Sequence, residues 1–556
     1  MRIVTSLIAL FSIVAGACGP GSDAGRTQGA ATGAPGLDDT RTLVIAMRTE
    51  PKVFLNAALN PSHVGNTPDA PWQLFHAALT MGDERGTPQL QLAEEFPQLG
   101  TDSWKVFPDG RMETTWRLRP NLTWHDGAPL VAEDFVLSAQ FMKMLGQSSG
   151  AVPAIEEASA PDSRTLVLWY KAPTAVAGQT ALQSIPHHLL GAQLEQMEGR
   201  DPVDLFGLPY WTTEFKGLGP YRLERWEHGA FITGVAFPGY VNGKPRIARI
   251  QLVWISDANT AASNLLSGTV HLATDLSLVF EQVSVLRREW AAKQTTGNIL
   301  LGTAKTVYIQ MQYRPEHVNP RAILDARFRQ AIAHAIDKQA IVDAVLEGEP
   351  GIADTLRPKE EESYAELDRV LAKHPFDLRR TDQLLTEMGF AKDAEGFYGQ
   401  GGARLVTSLT PRGDYLREAL VLSDGWKRAG LDVPIRTLSA AEQLDSAFSR
   451  TYPALSIIQF QIDAYPFQPF VTGVSPNVGG FSDPEVDRLS SIHASSLDRQ
   501  ERNQTLIQGM KYLSDQAVYF PLYYGYDVIA HTGSLAGPRS GIKKYAMWRV
   551  EEWTWR

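Results

Sequence analysis

A chain of 556 residues is too long for one small core and calls for two or more lobes. Hydrophobic residues make up 44% and charged residues 21%, an ordinary globular balance, and the formal net charge of −10 argues against a nucleic-acid partner, which needs clustered Lys and Arg. One cysteine excludes an internal disulfide, so burial must supply the stability.

Arg2 followed by the apolar run Ile3 to Val14 is too short to span a membrane. Ala15-Gly16-Ala17-Cys18 then resembles a bacterial lipobox, in which the cysteine is lipidated after residues 1–17 are removed. The sequence therefore predicts export and lipid anchoring at Cys18, to a membrane facing the periplasm or cell surface. Residues 18–38 are rich in Gly, Ala, Ser, Thr and Pro and read as a flexible tether.

The fold is expected to begin with a strand at Arg41 to Met47. Thr114 to Leu118 alternates as a half-buried strand, Asp126-Gly127 marks a turn, and Phe135, Val136, Ala139 and Met142 recur at helical steps. Gly146-Gln-Ser-Ser-Gly150 matches the serine-hydrolase elbow. That elbow must follow a strand and open a helix, whereas this one follows a helical segment and leads into Ala151-Val-Pro153, so Ser148 reads as a loop residue. Thr165 to Tyr170 is a further strand. His187-His188 lacks an Asp, Glu or Cys ligand at metal spacing, and neighbouring residues on a helix do not face one point. Gly217-Leu-Gly-Pro-Tyr221 leads into a strand rather than a helix, which excludes a phosphate loop.

Ile247 to Ile255 reads as a strand and Ser256 to Gly268 as a short helix. After the strand around Thr306 to Gln312, one long helix is expected from Phe328 to Val345, ended by Gly348 and Pro350. Strands follow at Leu405 to Leu409 and Val433 to Leu438, with a helix from Tyr415 to Ala429 between them. Asp483 and Pro484 open another helix as cap and first residue.

Several of these stretches carry a family resemblance. Trp124-His-Asp-Gly-Ala-Pro-Leu-Val-Ala-Glu-Asp134, Gly217-Leu-Gly-Pro-Tyr221, Arg329-Gln-Ala-Ile-Ala-His-Ala-Ile-Asp337, Phe376-Asp377 and Tyr519-Phe-Pro-Leu-Tyr-Tyr524 stand in the order of the peptide/nickel class of ABC-importer solute-binding proteins. The chain resembles that family over essentially its whole mature length. The resemblance implies an α/β fold of the two-lobed periplasmic-binding-protein type, with hinge crossovers near Ala304 and Phe520 and a domain inserted in the first lobe. It places the first lobe at 39–74, 205–303 and 521–556, the insert at 75–204 and the second lobe at 304–520. It implies binding without catalysis, no cofactor, a monomer, a small peptide-like solute and a membrane permease complex as partners.

The same resemblance points to three ligand-binding residues. Asp463 stands where peptide-binding members pair an aspartate with the ligand amine, Arg412 where some pair an arginine with its carboxylate, and Tyr465 is a stacking wall. The family's Trp-x-x-Asp-Tyr-Pro-Asp-Pro stretch is here Phe460-Gln-Ile-Asp-Ala-Tyr-Pro-Phe-Gln-Pro469, without the tryptophan or the second acid.

Overall fold

A computed structural model describes residues 41–55, 69–144, 155–180, 182–196, 202–294, 296–349, 351–361, 363–413, 415–445, 448–461, 465–474, 476–539, 541 and 546–556. Cys18, Ser148 and Asp463 lie outside the described residues.

The organising feature is a mixed sheet of nine strands. At its centre two long strands, Gly297–Met311 and Tyr519–Thr532, pair antiparallel over nearly their whole length. On one side, Thr42–Met47 pairs parallel with Arg249–Trp254 and with Leu272–Ala273, which borders Tyr519–Thr532. On the other side, Leu455–Gln461 runs antiparallel to Gly297–Met311 and parallel to Leu409–Pro411. The parallel strands of the two halves run toward each other: one set ends at Ala273, level with Ile299, and the other at Gln461, level with Lys305, and at Pro411, level with Ile309. The middle of this central ribbon is irregular: the register slips between Thr303 and Lys305, opposite Gly525 and Tyr526.

A separate four-stranded sheet, built from Trp104–Val106, Met112–Arg117, Thr165–Tyr170 and Ile155–Asp162, carries the Trp124 corner beside it. Trp124 is fully buried and its indole donates to Asp134 Oδ2 at 3.0 Å. The neighbouring His125 accepts from the Gly217 amide at Nδ1 (3.2 Å), and its Nε2 lies 3.0 Å from the Gly219 carbonyl. The glycines at 217 and 219 are steric necessities. A Cβ at Gly217 would sit 1.9 Å from the Phe75 carbonyl, and one at Gly219 2.4 Å from the His76 nitrogen.

Helix ends follow their capping residues. Asp257 accepts from Thr260 N to open Ala258–Ser267, and Gly268 closes it at φ 79°. Asp483 caps Pro484–Ser495 as expected from the sequence. Three expectations are corrected. The single helix from Phe328 to Val345 is two, Ala326–His334 and Lys338–Leu346. Asp337, inside the apolar period, takes the Ala340 amide with its side chain and starts a new helix. The strand predicted at Val433 to Leu438 is absent as a ladder; only isolated bridges join Asp432 to Val406 and Ile435 to Leu409. Pro434 has no N–H to give such a ladder. The strand predicted at Leu405 to Leu409 is displaced to Leu409–Pro411.

Candidate functional site

In open α/β sheets ligands bind beyond the carboxyl ends of parallel strands. Here the two sets of carboxyl ends face each other across the ribbon's middle, so one crevice is served from both sides. Two described groups border it: Arg412, just after Leu409–Pro411, and Lys305 on the ribbon itself, paired with Gln461 at the end of Leu455–Gln461.

The Arg412 amide donates to the Ile457 carbonyl at 3.1 Å, which ties it to the neighbouring strand. The side chain is half-buried, and among the described residues its guanidinium has no hydrogen-bond or ion-pair partner. Burial lowers its pKa from the ordinary guanidinium value, while the nearby hydroxyls of Tyr452 and Tyr308 act the other way. A half-buried cation without a counter-charge is an unsatisfied charge that an anionic ligand can neutralise.

Tyr465 is placed differently. Its hydroxyl donates to the Ser490 carbonyl at 2.6 Å, and its ring lies 5.4 Å from His493 and 6.1 Å from Phe467. It is tied to the helix Pro484–Ser495, and no hydrogen bond or ring contact among the described residues joins it to Arg412. The chain is described up to Gln461 and again from Tyr465, on either side of Asp463.

Three further groups at the ribbon's middle were not singled out by sequence reasoning. Lys305 Nζ lies 5.8 Å from the centre of the Tyr415 ring. Tyr415 in turn donates to Gln459 Oε1 at 2.7 Å. Glu418 is buried and accepts from the Tyr523 hydroxyl at 2.5 Å; burial raises its carboxyl pKa, with that hydrogen bond opposing. The available signal was Lys305, a lone cation in the strand pattern Ala304-Lys-Thr306.

The paired histidines form no metal centre with their neighbours. His188 Nε2 lies 2.9 Å from Asp126 Oδ2, and among the described residues no group of three or more His, Cys, Asp or Glu is placed to hold a metal ion.

The family model "Bacterial extracellular solute-binding proteins, family 5 Middle" matches residues 95–480. The chain belongs to that family. The oligopeptide-binding protein AppA of Bacillus subtilis is 24% identical, over 99% of this chain and 98% of its own. Among solved structures, an oligopeptide-binding protein of Thermus thermophilus complexed with a pentapeptide superposes with a TM-score of 0.72 at 20% identity, covering 92% of this chain and 96% of that one. NikZ of Campylobacter jejuni, solved with Ni(L-His), gives 0.70 at 19% identity, covering 92% and 99%. At such identities the structures show the fold: a two-lobed binding protein. This family 5 protein is the extracytoplasmic solute-binding component of an ABC importer of the peptide/nickel class, a binder rather than an enzyme. No helix among its described residues is long and apolar enough to cross a membrane.

Proposed function

We propose that the protein captures a small peptide-like solute between its lobes and hands it to a membrane permease. The lobes divide as 39–74, 205–303 and 521–556 against 304–520, with 75–204 as the insert. The observation that carries this reading is that both sets of strand ends face each other across the ribbon, beside Arg412, whose guanidinium is unpaired among the described residues. Arg412 takes the solute's carboxylate and Asp463, in the loop after Gln461, its amine. Tyr465 lines the wall of the same loop. The lobes close by bending at the register slip between Thr303 and Lys305.

Calorimetry tests the anchors. With a bound peptide identified by mass spectrometry of the purified protein, Asp463→Ala should weaken binding by roughly 2–5 kcal/mol and Arg412→Ala by a similar amount. Both variants should unfold at the wild-type temperature. Wild-type affinity in both variants would sink the peptide-like assignment.

The protein works as a monomer tethered through a lipidated Cys18. The support is the small-residue stretch before the chain's only cysteine. Cys18→Ser should move the protein from the membrane fraction to the soluble one, with solute affinity unchanged. Retention of the variant on membranes would rule out this anchor.

A further inference from the structure

We propose that the helix Glu281–Lys293 of the first lobe and the segment 344–349 with Arg417 of the second form a salt-sensitive clasp that sets the balance between lobe arrangements. The inference rests on the lobe assignment above.

Glu281, Ser284 and Arg287 recur at three-residue steps and share one side of their helix. Each meets the other lobe. Arg417 lies 3.2 Å from Glu281 Oε1 and also donates to the Ala344 carbonyl at 3.4 Å. Arg287 lies 2.8 Å from Glu349 Oε1. Between these pairs the Ser284 hydroxyl donates to the carboxylate of Glu347.

Glu347 is informative. It ends the helix Lys338–Leu346 in the left-handed region at φ 50°, where glycine is the usual occupant, although Gly348 follows directly. The unfavourable backbone conformation brings its carboxylate to Ser284. The two ion pairs also run in opposite senses. Exchanging partners would set Arg287 against Arg417 and Glu281 against Glu349, so the clasp has one register.

Its position gives it leverage. Phe280, just before the helix, stacks on Tyr526 with ring centres 6.0 Å apart. Tyr526 faces Thr303 at the register slip, so the clasp starts beside the hinge. The charges are about half exposed, so salt screens them. Exposed pairs contribute little to global stability, but two of them suffice to change a near-balanced ratio of conformers by about 2- to 30-fold.

The experiment measures the interlobe distance distribution of solute-free full-length protein by double electron–electron resonance. Labels go on Lys244→Cys and Lys427→Cys, both exposed, in a Cys18→Ser background. The ratio of the two distances should change as salt rises from roughly 0.01 to 1 M, where the Debye length falls from about 30 Å to 3 Å. Arg287→Gln with Arg417→Gln should abolish that dependence, and the charge swap Arg287→Glu with Glu349→Arg should restore part of it. Two distances with unaltered salt dependence in the double variant would overturn the clasp alone. A single, salt-insensitive distance in the wild type would overturn the clasp and the hinge together.

Discussion

Acidification from pH 6.5 to about 5 should cost this protein about 2 kcal/mol of stability per pH unit, the slope rising toward about 2.7 at the acid end, before most of its carboxylates titrate. The loss comes from two buried histidines. Burial lowers the pKa of His76 to about 3, with the Ser184 carbonyl opposing and His125 adding, and that of His125 to about 4, with the Gly219 carbonyl opposing. Both rings are neutral in the folded protein over this window, whereas the unfolded chain protonates them below 6.5. The unfolded state then binds more protons, each histidine contributes a slope that grows from about half of 1.4 kcal/mol per unit at pH 6.5 to nearly that full value at pH 5, and stability falls with pH until the folded values are reached. Geometry gives the same sign. His125 Nδ1 accepts the Gly217 amide, so a proton there would set donor against donor. His271 and His374, each lowered to about 4 with burial as the first cause, steepen the loss. Asp134 and Glu418, raised by burial, act in the opposite direction as they take up protons. Urea unfolding at several pH values measures the slope, and His125→Gln should flatten it by up to about 1.4 kcal/mol per unit at the acid end. A flat profile between pH 6.5 and 5 would refute this account.

The second large effect concerns Arg329. This side chain is buried, yet it pairs with no carboxylate among the described residues. It donates instead to the carbonyls of Ile323 (2.8 Å), Gln516 (2.7 Å) and Ala517 (3.1 Å). Gln516 ends the helix Arg499–Asp515, so one guanidinium satisfies the end of that helix just before the ribbon strand Tyr519–Thr532 begins. Arg329→Met keeps the volume and orphans three carbonyls at about 1–3 kcal/mol each, so a loss of roughly 3–5 kcal/mol is expected. Arg329→Lys, which cannot span the three positions as a planar fork, should fall between. Denaturant unfolding of the Met variant within about 1 kcal/mol of wild type would show that water replaces the guanidinium there.

Arg329 also illustrates what the sequence could disclose. Its stretch marked the family, and its helical period marked a core helix, but nothing local said that the arginine points inward to backbone carbonyls nearly 190 residues away. The elements legible in sequence were those with both a period and a cap, such as Asp483-Pro484 or the helix ending at Gly268. The single long helix failed because an apolar period continued through Asp337, whose side-chain bond to Ala340 outweighed it. Arg412 was legible only through resemblance. Its lack of a partner among the described residues is a property of the folded surroundings, set by residues distant in sequence. Tyr465 was likewise legible only through its place beside Asp463; nothing local to it announced that its hydroxyl holds the Ser490 carbonyl.

The ribbon has a consequence for how the chain becomes a protein at all. Tyr519–Thr532 lies in the sheet between Gly297–Met311 and Leu272–Ala273, although it follows every other strand of that sheet in sequence. Until it arrives, the sheet is two fragments, each with an unpaired edge where the other should begin. Closing that seam joins residues more than 200 positions apart, such as Ala273 and Ala530, and such pairings form late because the loop entropy comes first. A nascent chain therefore stays without its central seam until Tyr519–Thr532 has been added. For an extracytoplasmic protein, that delay favours a threadable chain during secretion over a folded one.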